Sequence, residues 1–326
     1  MSTELNRLPR SVPHSVPRSV PSDLPSDVPS DVPHYVLITP ARNEALLIEQ
    51  TIHAVVAQTV RPVKWVIVSD GSTDATDDIV ARHAQQHAWI QLVRTPVGAP
   101  RDFAGKVRAF NAGRAALSGV EFDMIGSLDA DITFDAGYFE FILGKFAQDP
   151  QLGVAGTPFR EGTHQYDYRY TNIEHVSGAC QMFRRQCFDD IGGYQPLKGG
   201  GIDWVAVTTA RMRGWNTRTF TERVCLHHRP MGTAQSSALA ARFRLGKKDY
   251  VLGGHPLWEL FRSAYQMKES PRGIGGLCLL SGYVWAWMCG ATKTASPELM
   301  AFHRHEQMAR LRALFRRPLR LVGSTW

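Results

Sequence analysis

The stretch YVLITPARNEALLIEQTIHAVVAQT, Tyr35 to Thr59, sets an apolar β-branched run, a polar stop and an amphipathic segment in that order. Tyr35 to Thr39 has the composition of a buried strand, and Pro40, which has no N–H to donate, is expected to break it. From Ala45 to Gln58 the apolar residues Leu46, Leu47, Ile52, Val55 and Val56 fall at helical spacing, so the stretch predicts strand, loop and helix. The pattern repeats. VKWVIVSD (63–70) is a second strand, GSTDATDDIVARHAQQ (71–86) a capped helix with aspartates in its first turn, and IQLVRT (90–95) a third strand. KVRAFNAGRAAL (106–117) supplies another helix before FDMIGSLDAD (122–131). Alternation at this spacing predicts an α/β fold, a Rossmann-like and mostly parallel sheet with helices on both faces.

Ligands of such sheets bind beyond the carboxyl ends of the strands. Asp129 and Asp131 stand there, at the exit of the apolar run EFDMIGSL. Two positions apart on extended chain they aim at the same side, and a divalent cation is the simplest relief of their mutual repulsion. A lone Asp-x-Asp is also ordinary turn chemistry, so its position after a buried strand is what gives it weight.

Composition narrows the partners. At 326 residues and 44% hydrophobic content the chain can bury one large core or two smaller ones, which excludes disorder for most of it. Lys and Arg outnumber Asp and Glu by 37 to 30, a formal charge of +7 that favours an anionic partner or serves solubility alone. The basic residues cluster in the tail without a recognition module, so nucleic acid is not an expected partner. Five cysteines without a Cys-x-x-Cys pair indicate neither a disulfide framework nor a zinc site, and fit a reducing cytosol. Proline recurs at every fourth residue from Pro9 to Pro33, which predicts a disordered tail over residues 1–34.

The order of TPARNE (39–44), VSDGSTD (68–74), GKVRAFNAG (105–113), LDAD (128–131), IGGYQ (191–195) and GID (201–203) before ARMRGW (210–215) resembles the inverting family 2 glycosyltransferases of GT-A fold. The resemblance runs from about Tyr35 to about His228 and implies a catalytic domain over 35–232, with a helical, basic C-terminal region over 233–326. It implies a nucleotide-diphosphate sugar donor with Pro40, Arg42 and Glu44 framing the nucleoside and Asp70 accepting a hydrogen bond from the base, as from uracil N3–H. Lys106 is then a cation near the phosphates or ribose, Asp129 faces ribose and metal, and Asp131 binds Mg²⁺ or Mn²⁺ at the diphosphate.

The base that takes the acceptor proton is, in the family, the Asp of a Glu-Asp pair about eleven residues before a glycine. Asp203 stands eleven before Gly214 and Ile202 replaces the Glu; a helix N-cap is a second reading of Asp203. His227 and His228 end the run VCL, and on extended chain at most one reaches a shared site; His227 best fills the strand exit as a metal or diphosphate ligand. Arg229 is an alternative phosphate clamp. VSGACQMFRRQCFDDIGGYQPLKGGG (176–201) resembles the acceptor side, with an aromatic turn beneath the sugar and Arg184 and Arg185 solvated. ARFRLGKKDY (241–250) does not match the Gln-x-x-Arg-Trp of processive members, so transfer of one sugar per encounter is expected.

GIGGLCLLSGYVWAWMCGAT, 273–292, has no charge in 20 residues but holds five glycines, with basic residues on both flanks. It reads as an interfacial or re-entrant segment, or as helices packed on the catalytic domain. Met308 to Leu321 reads as a basic amphipathic stretch suited to an anionic leaflet. The expected activity is transfer of one sugar to a glycan or lipid-linked acceptor in cell-surface polysaccharide synthesis, at the cytoplasmic face of the inner membrane. Two other readings are a sugar-1-phosphate nucleotidyltransferase, which requires a glycine-rich GxGTRxxP-like loop that PARNEA is not, and a catalytically silent nucleotide-sugar-binding subunit.

Overall fold

A computed structural model of the chain describes residues 33–96, 103–162, 164–165, 172–197, 200–229, 238–268 and 272–316. The expected tail, apart from Pro33 and His34, lies outside the described residues, as do the boundary near Thr233 and the last part of the basic stretch. Strand β1 (Tyr35–Ala41) leads into helix α1 (Ile48–Val56), β2 (Lys64–Asp70) into α2 (Thr76–Gln86), and β3 (Ile90–Thr95) into α3 (Phe103–Ala115). There follow β4 (Met124–Leu128), β5 (Ile132–Thr133), α4 (Tyr138–Gln148), β6 (Leu152–Gly156), β7 (Phe159–Glu161), β8 (His164–Gln165), β9 (Cys180–Arg184), α5 (Arg185–Asp190) and α6 (Ile202–Met212). Then come β10 (Asn216–Thr219), β11 (Cys225–His227), α7 (Ala238–Val251), α8 (Pro256–Gln266), α9 (Ile274–Met288) and α10 (Pro297–Arg316).

Among the described residues the main sheet has seven strands in the order β10-β6-β9-β4-β1-β2-β3, parallel except for β9, which runs against both neighbours. Alternation along β1 explains the two layers of helices. Tyr35 and Leu37 point into a core with Ile48, Ile52 and Val55 of α1 and Phe139, Ile142 and Leu143 of α4. Val36 and Ile38 point into the other, with Val107 and Phe110 of α3 and Ala206, Val207 and Ala210 of α6. Trimming one of these fully buried aliphatic side chains to alanine costs about 2–5 kcal/mol.

Two expectations for the opening stretch are corrected. Pro40 does not end β1: it pairs with Val68 of β2 inside the strand, where the ladder to β4 has already stopped at Ile38 and a missing N–H is tolerated. The helix begins at Ile48 rather than Ala45, and Leu46 is exposed. Before it the chain is held in a loop, with Glu44 N–H donating to Thr76 Oγ1 (2.8 Å) and Ala45 N–H to Asp74 Oδ2 (3.1 Å). Arg184 is likewise not simply solvated, because its guanidinium donates to the carbonyls of Phe146, Asp149 and Leu152 and ties β9 to the end of α4.

The C-terminal helices form a further layer. Val205 of α6 packs with Leu252, Ala295 and Leu299, and Arg211 grips Glu306 of α10 through two hydrogen bonds, 2.8 and 3.1 Å. α9 lies tightly on α7: a Cβ at Gly282 would stand 2.0 Å from the carbonyl oxygen of Phe243, so only glycine allows this approach. One face of α9 is thus packed, while Ile274, Leu277, Trp285, Trp287 and Met288 are exposed. No described helix is long and apolar enough to cross a membrane. Beneath α7 and α8 the Asp249 and Arg262 side chains pair, with Glu259 beside them and 2% exposed. Burial and the neighbouring Asp249 carboxylate hold the Glu259 carboxyl up to about 8, against the pull of Arg262.

Candidate active site

The exit of β4 is pinned before its acids diverge. Asp129 N–H donates to the carbonyl of Ala179 (2.9 Å) after β9, and Thr51 of α1 donates its hydroxyl to the carbonyl of Ala130 (2.8 Å). The two carboxylates then take different partners. Asp129 accepts from Lys106 Nζ at 2.5 Å. Burial opposes both charges, and the pairing more than offsets it for Lys106, whose pKa stands above the ordinary lysine value, but only in part for Asp129, which stays above the ordinary aspartate value.

Asp131 faces His227, with Oδ1 and Nε2 3.5 Å apart. The short strand β11 makes this pair: it runs antiparallel to β5 with His227 opposite Ile132, and parallel to β7. From β7, Glu161 accepts from His227 Nδ1 at 2.7 Å. That bond leaves Nε2 turned toward Asp131, the arrangement of a metal-ligating histidine oriented by a carboxylate behind it. Burial alone would raise Asp131 and lower His227; their mutual attraction wins in both, with Arg229 adding to the one and Glu161 to the other. An oxygen and a nitrogen donor facing each other across this gap fit a divalent cation.

His228 takes the other side, its ring Nε2 on Thr133 Oγ1 (2.7 Å) and its N–H on the carbonyl of Asp131 (3.0 Å). Arg229 is engaged by Glu44 through two hydrogen bonds of 2.9 and 2.5 Å, which closes the loop after β1 onto the segment after β11. Asp70, at the end of β2, accepts from Thr95 Oγ1 (3.0 Å) and lies 3.9 Å from Arg42. Pro40, Arg42, Glu44 and Asp70 therefore gather at the carboxyl edge of β1 and β2.

Asp203 comes from the far side. The N-cap of α6 is Gly201, so Asp203 sits in the first turn and is not the cap. It lines a cleft of about 440 Å³ together with Lys106, Asp129, His227, Tyr194 and Lys248. Gly178 makes room for it, since a Cβ there would stand 3.1 Å from that of Asp203. Tyr194, the expected aromatic turn residue, lines the cleft with its hydroxyl donated to Gln181 at 2.6 Å. Sequence reasoning missed Glu161, Thr95 and Lys248. Glu161 lies in FREG, which carries no local signal, and its role is visible only once β7 pairs with β11.

Residues 36–192 match a family model described as Glycosyl transferase family 2. A probable glycosyltransferase, YdaM, of Bacillus subtilis is 27% identical over 242 residues, which cover 72% of this chain and 50% of that protein. A poly-β-1,6-N-acetyl-D-glucosamine synthase of Staphylococcus aureus is 28% identical over 185 residues, 56% of this chain and 42% of its own. The chain thus spans about half the length of the curated relatives it matches. Among solved structures, the mannosyltransferase PcManGT of Pyrobaculum calidifontis in complex with GDP-Man and Mn²⁺ superimposes with a TM-score of 0.51 at 20% identity, covering 93% of this chain and 80% of that one. This last likeness concerns the fold, which is GT-A. Residues 36–192 thus carry the likeness to glycosyl transferase family 2, on a sheet of GT-A fold.

Proposed function

We propose that the chain transfers a single sugar, with inversion, from a uridine-diphosphate donor to a hydroxyl of a glycan or lipid-linked acceptor. The observation that carries this reading is that Asp203 shares one cleft with Asp129, Lys106 and His227, while Asp131 Oδ1 faces His227 Nε2 at 3.5 Å. Asp70, with Thr95 already on one oxygen, accepts from the base with the other lone pairs. Lys106 holds Asp129 and balances charge at the ribose and phosphates. Asp131 and His227 would hold the cation, which neutralises the departing diphosphate; an imidazole in the donor set favours Mn²⁺ over Mg²⁺. Asp203 takes the acceptor proton as the acceptor oxygen attacks the anomeric carbon from the face opposite the diphosphate. In that role position matters more than basicity, and the small Gly178 behind Asp203 supports that position.

Relatives named as a glycosyltransferase and as a polysaccharide synthase support a role in surface polysaccharide synthesis. The exposed aromatic and aliphatic face of α9 supports attachment to the cytoplasmic leaflet of a membrane without crossing it. The test is a panel of nucleotide sugars with Mn²⁺ or Mg²⁺, read as nucleoside diphosphate release with and without acceptor. Turnover of a uridine donor that rises with acceptor is expected; release of pyrophosphate from a sugar phosphate and a nucleoside triphosphate would overturn the reading.

A further inference from the structure

On the outer side of the first two helices, away from the cleft, Glu49 and His53 lie one turn apart on α1 and face His83 in the last turn of α2. One ligand atom from each lies within 4.8 Å of the others. His83 Nε2 is 3.2 Å from Glu49 Oε1, and the two imidazole rings stand edge to face with centroids 5.3 Å apart. None of these residues, nor any other of α1 or α2, lines the 440 Å³ cleft.

We propose that Glu49, His53 and His83 form a second cation site, for a borderline divalent ion with Zn²⁺ foremost, that clamps α1 to α2. Two imidazoles and one carboxylate, with a fourth position left to water, make a zinc donor set; magnesium and calcium prefer oxygen alone. With bonds of about 2.0–2.1 Å, tetrahedral ligand atoms stand about 3.3 Å apart. Glu49 and His83 already have that separation, and His53, exposed on the outer turn, closes the remainder by turning its ring. His83 is buried and so fixed in place. Arg82 competes for the same oxygen, donating to Glu49 Oε1 at 2.5 Å, but that pair is open to solvent and so yields readily to an ion. The donor set separates this site chemically from Asp131 and its Mn²⁺ or Mg²⁺.

The test uses the full chain, stripped of metal and titrated with Co²⁺ as a visible probe, then with Zn²⁺ in competition. One equivalent of Co²⁺ should give tetrahedral d–d absorption that Zn²⁺ abolishes. His53→Ala, a change at an exposed position, should weaken binding by at least about 100-fold, beyond the 10–100-fold cost of an outer-shell loss, and Glu49→Gln should weaken it as well. Asp131→Asn should leave the bands unchanged. Zn²⁺ at about 100 times its Kd should also raise the Tm of the wild type by roughly 5 °C and leave that of His53→Ala where it was. The proposal is overturned if no saturable binding occurs below about 100 µM, or if the bands survive His53→Ala and vanish in Asp131→Asn.

Discussion

Replacing Glu259 with glutamine should remove a pH dependence of stability that the wild type carries. In the folded protein the Glu259 carboxyl is held at about 8 against an ordinary 4.5, because it is buried and faces the Asp249 carboxylate. Between those values the unfolded chain gives up the proton and the folded chain keeps it, so folding is favoured fully below 4.5, loses ground as pH rises, and levels off above 8. At about 1.4 kcal/mol per pH unit the interval amounts to at most about 5 kcal/mol. Asp249, itself raised by burial, acts with the same sign, while Arg262 limits both. Glutamine keeps the shape, and its amide can donate to Asp249 as the protonated acid does. Urea unfolding followed by tryptophan fluorescence, from about pH 4.5 to about 9, reads the effect directly through Trp258, Trp285 and Trp287 of the same layer. Glu259→Gln should gain on the wild type steadily over that range, by about 3–5 kcal/mol at its upper end. Parallel curves for the two proteins would mean that Glu259 is ionised in the fold and that the reasoning is wrong.

Asp203→Asn should keep donor affinity, measured by calorimetry with Mn²⁺ present, and lower transfer by about 10²–10⁴-fold. Glu161→Gln should raise the Mn²⁺ concentration needed for half-maximal activity by about 10–100-fold, since it frees the imidazole of His227 without removing a ligand. Trp285→Ser with Trp287→Ser should reduce flotation with anionic vesicles equally at low and high salt, because burial of apolar surface is not screened; a loss confined to low salt would point to the basic residues of α10 instead.

The first half of the sheet was legible because β1, β2 and β4 are apolar runs with helical periodicity between them, and each signal is local. Asp129 and Asp131 could be placed for the same reason: a strand exit needs no knowledge of neighbours. The bond from His227 to Glu161 was not legible. It arises where a three-residue strand meets another 66 positions earlier, and so short a strand leaves no periodic trace. Pro40 misled because a rule about donors was applied without knowing which edge of β1 had a partner. Leu46 misled in the opposite way, with an apolar side chain at helical spacing left in solvent by the side chains of Asp74 and Thr76, which hold the loop. On α9 the sequence offered apolarity but no division into faces, and that division is set by the close approach at Gly282.

The insertion of β9 between β4 and β6, and of β11 beside β5, has a consequence for synthesis. A ribosome releasing the chain from its N-terminus delivers β1 to β4 as an almost complete parallel half, yet β4 keeps an open edge until Cys180–Arg184 emerges about 50 residues later. His227 follows about 100 residues after Leu128, roughly 5–20 s at ordinary elongation rates. Until β9 emerges the nascent protein holds a bare hydrogen-bonding rim, and until His227 emerges an Asp131 without its imidazole. A chaperone that shields strand edges would find its substrate in this window, and slowing translation between codons 130 and 180 should raise the aggregated fraction while slowing it after codon 230 should not.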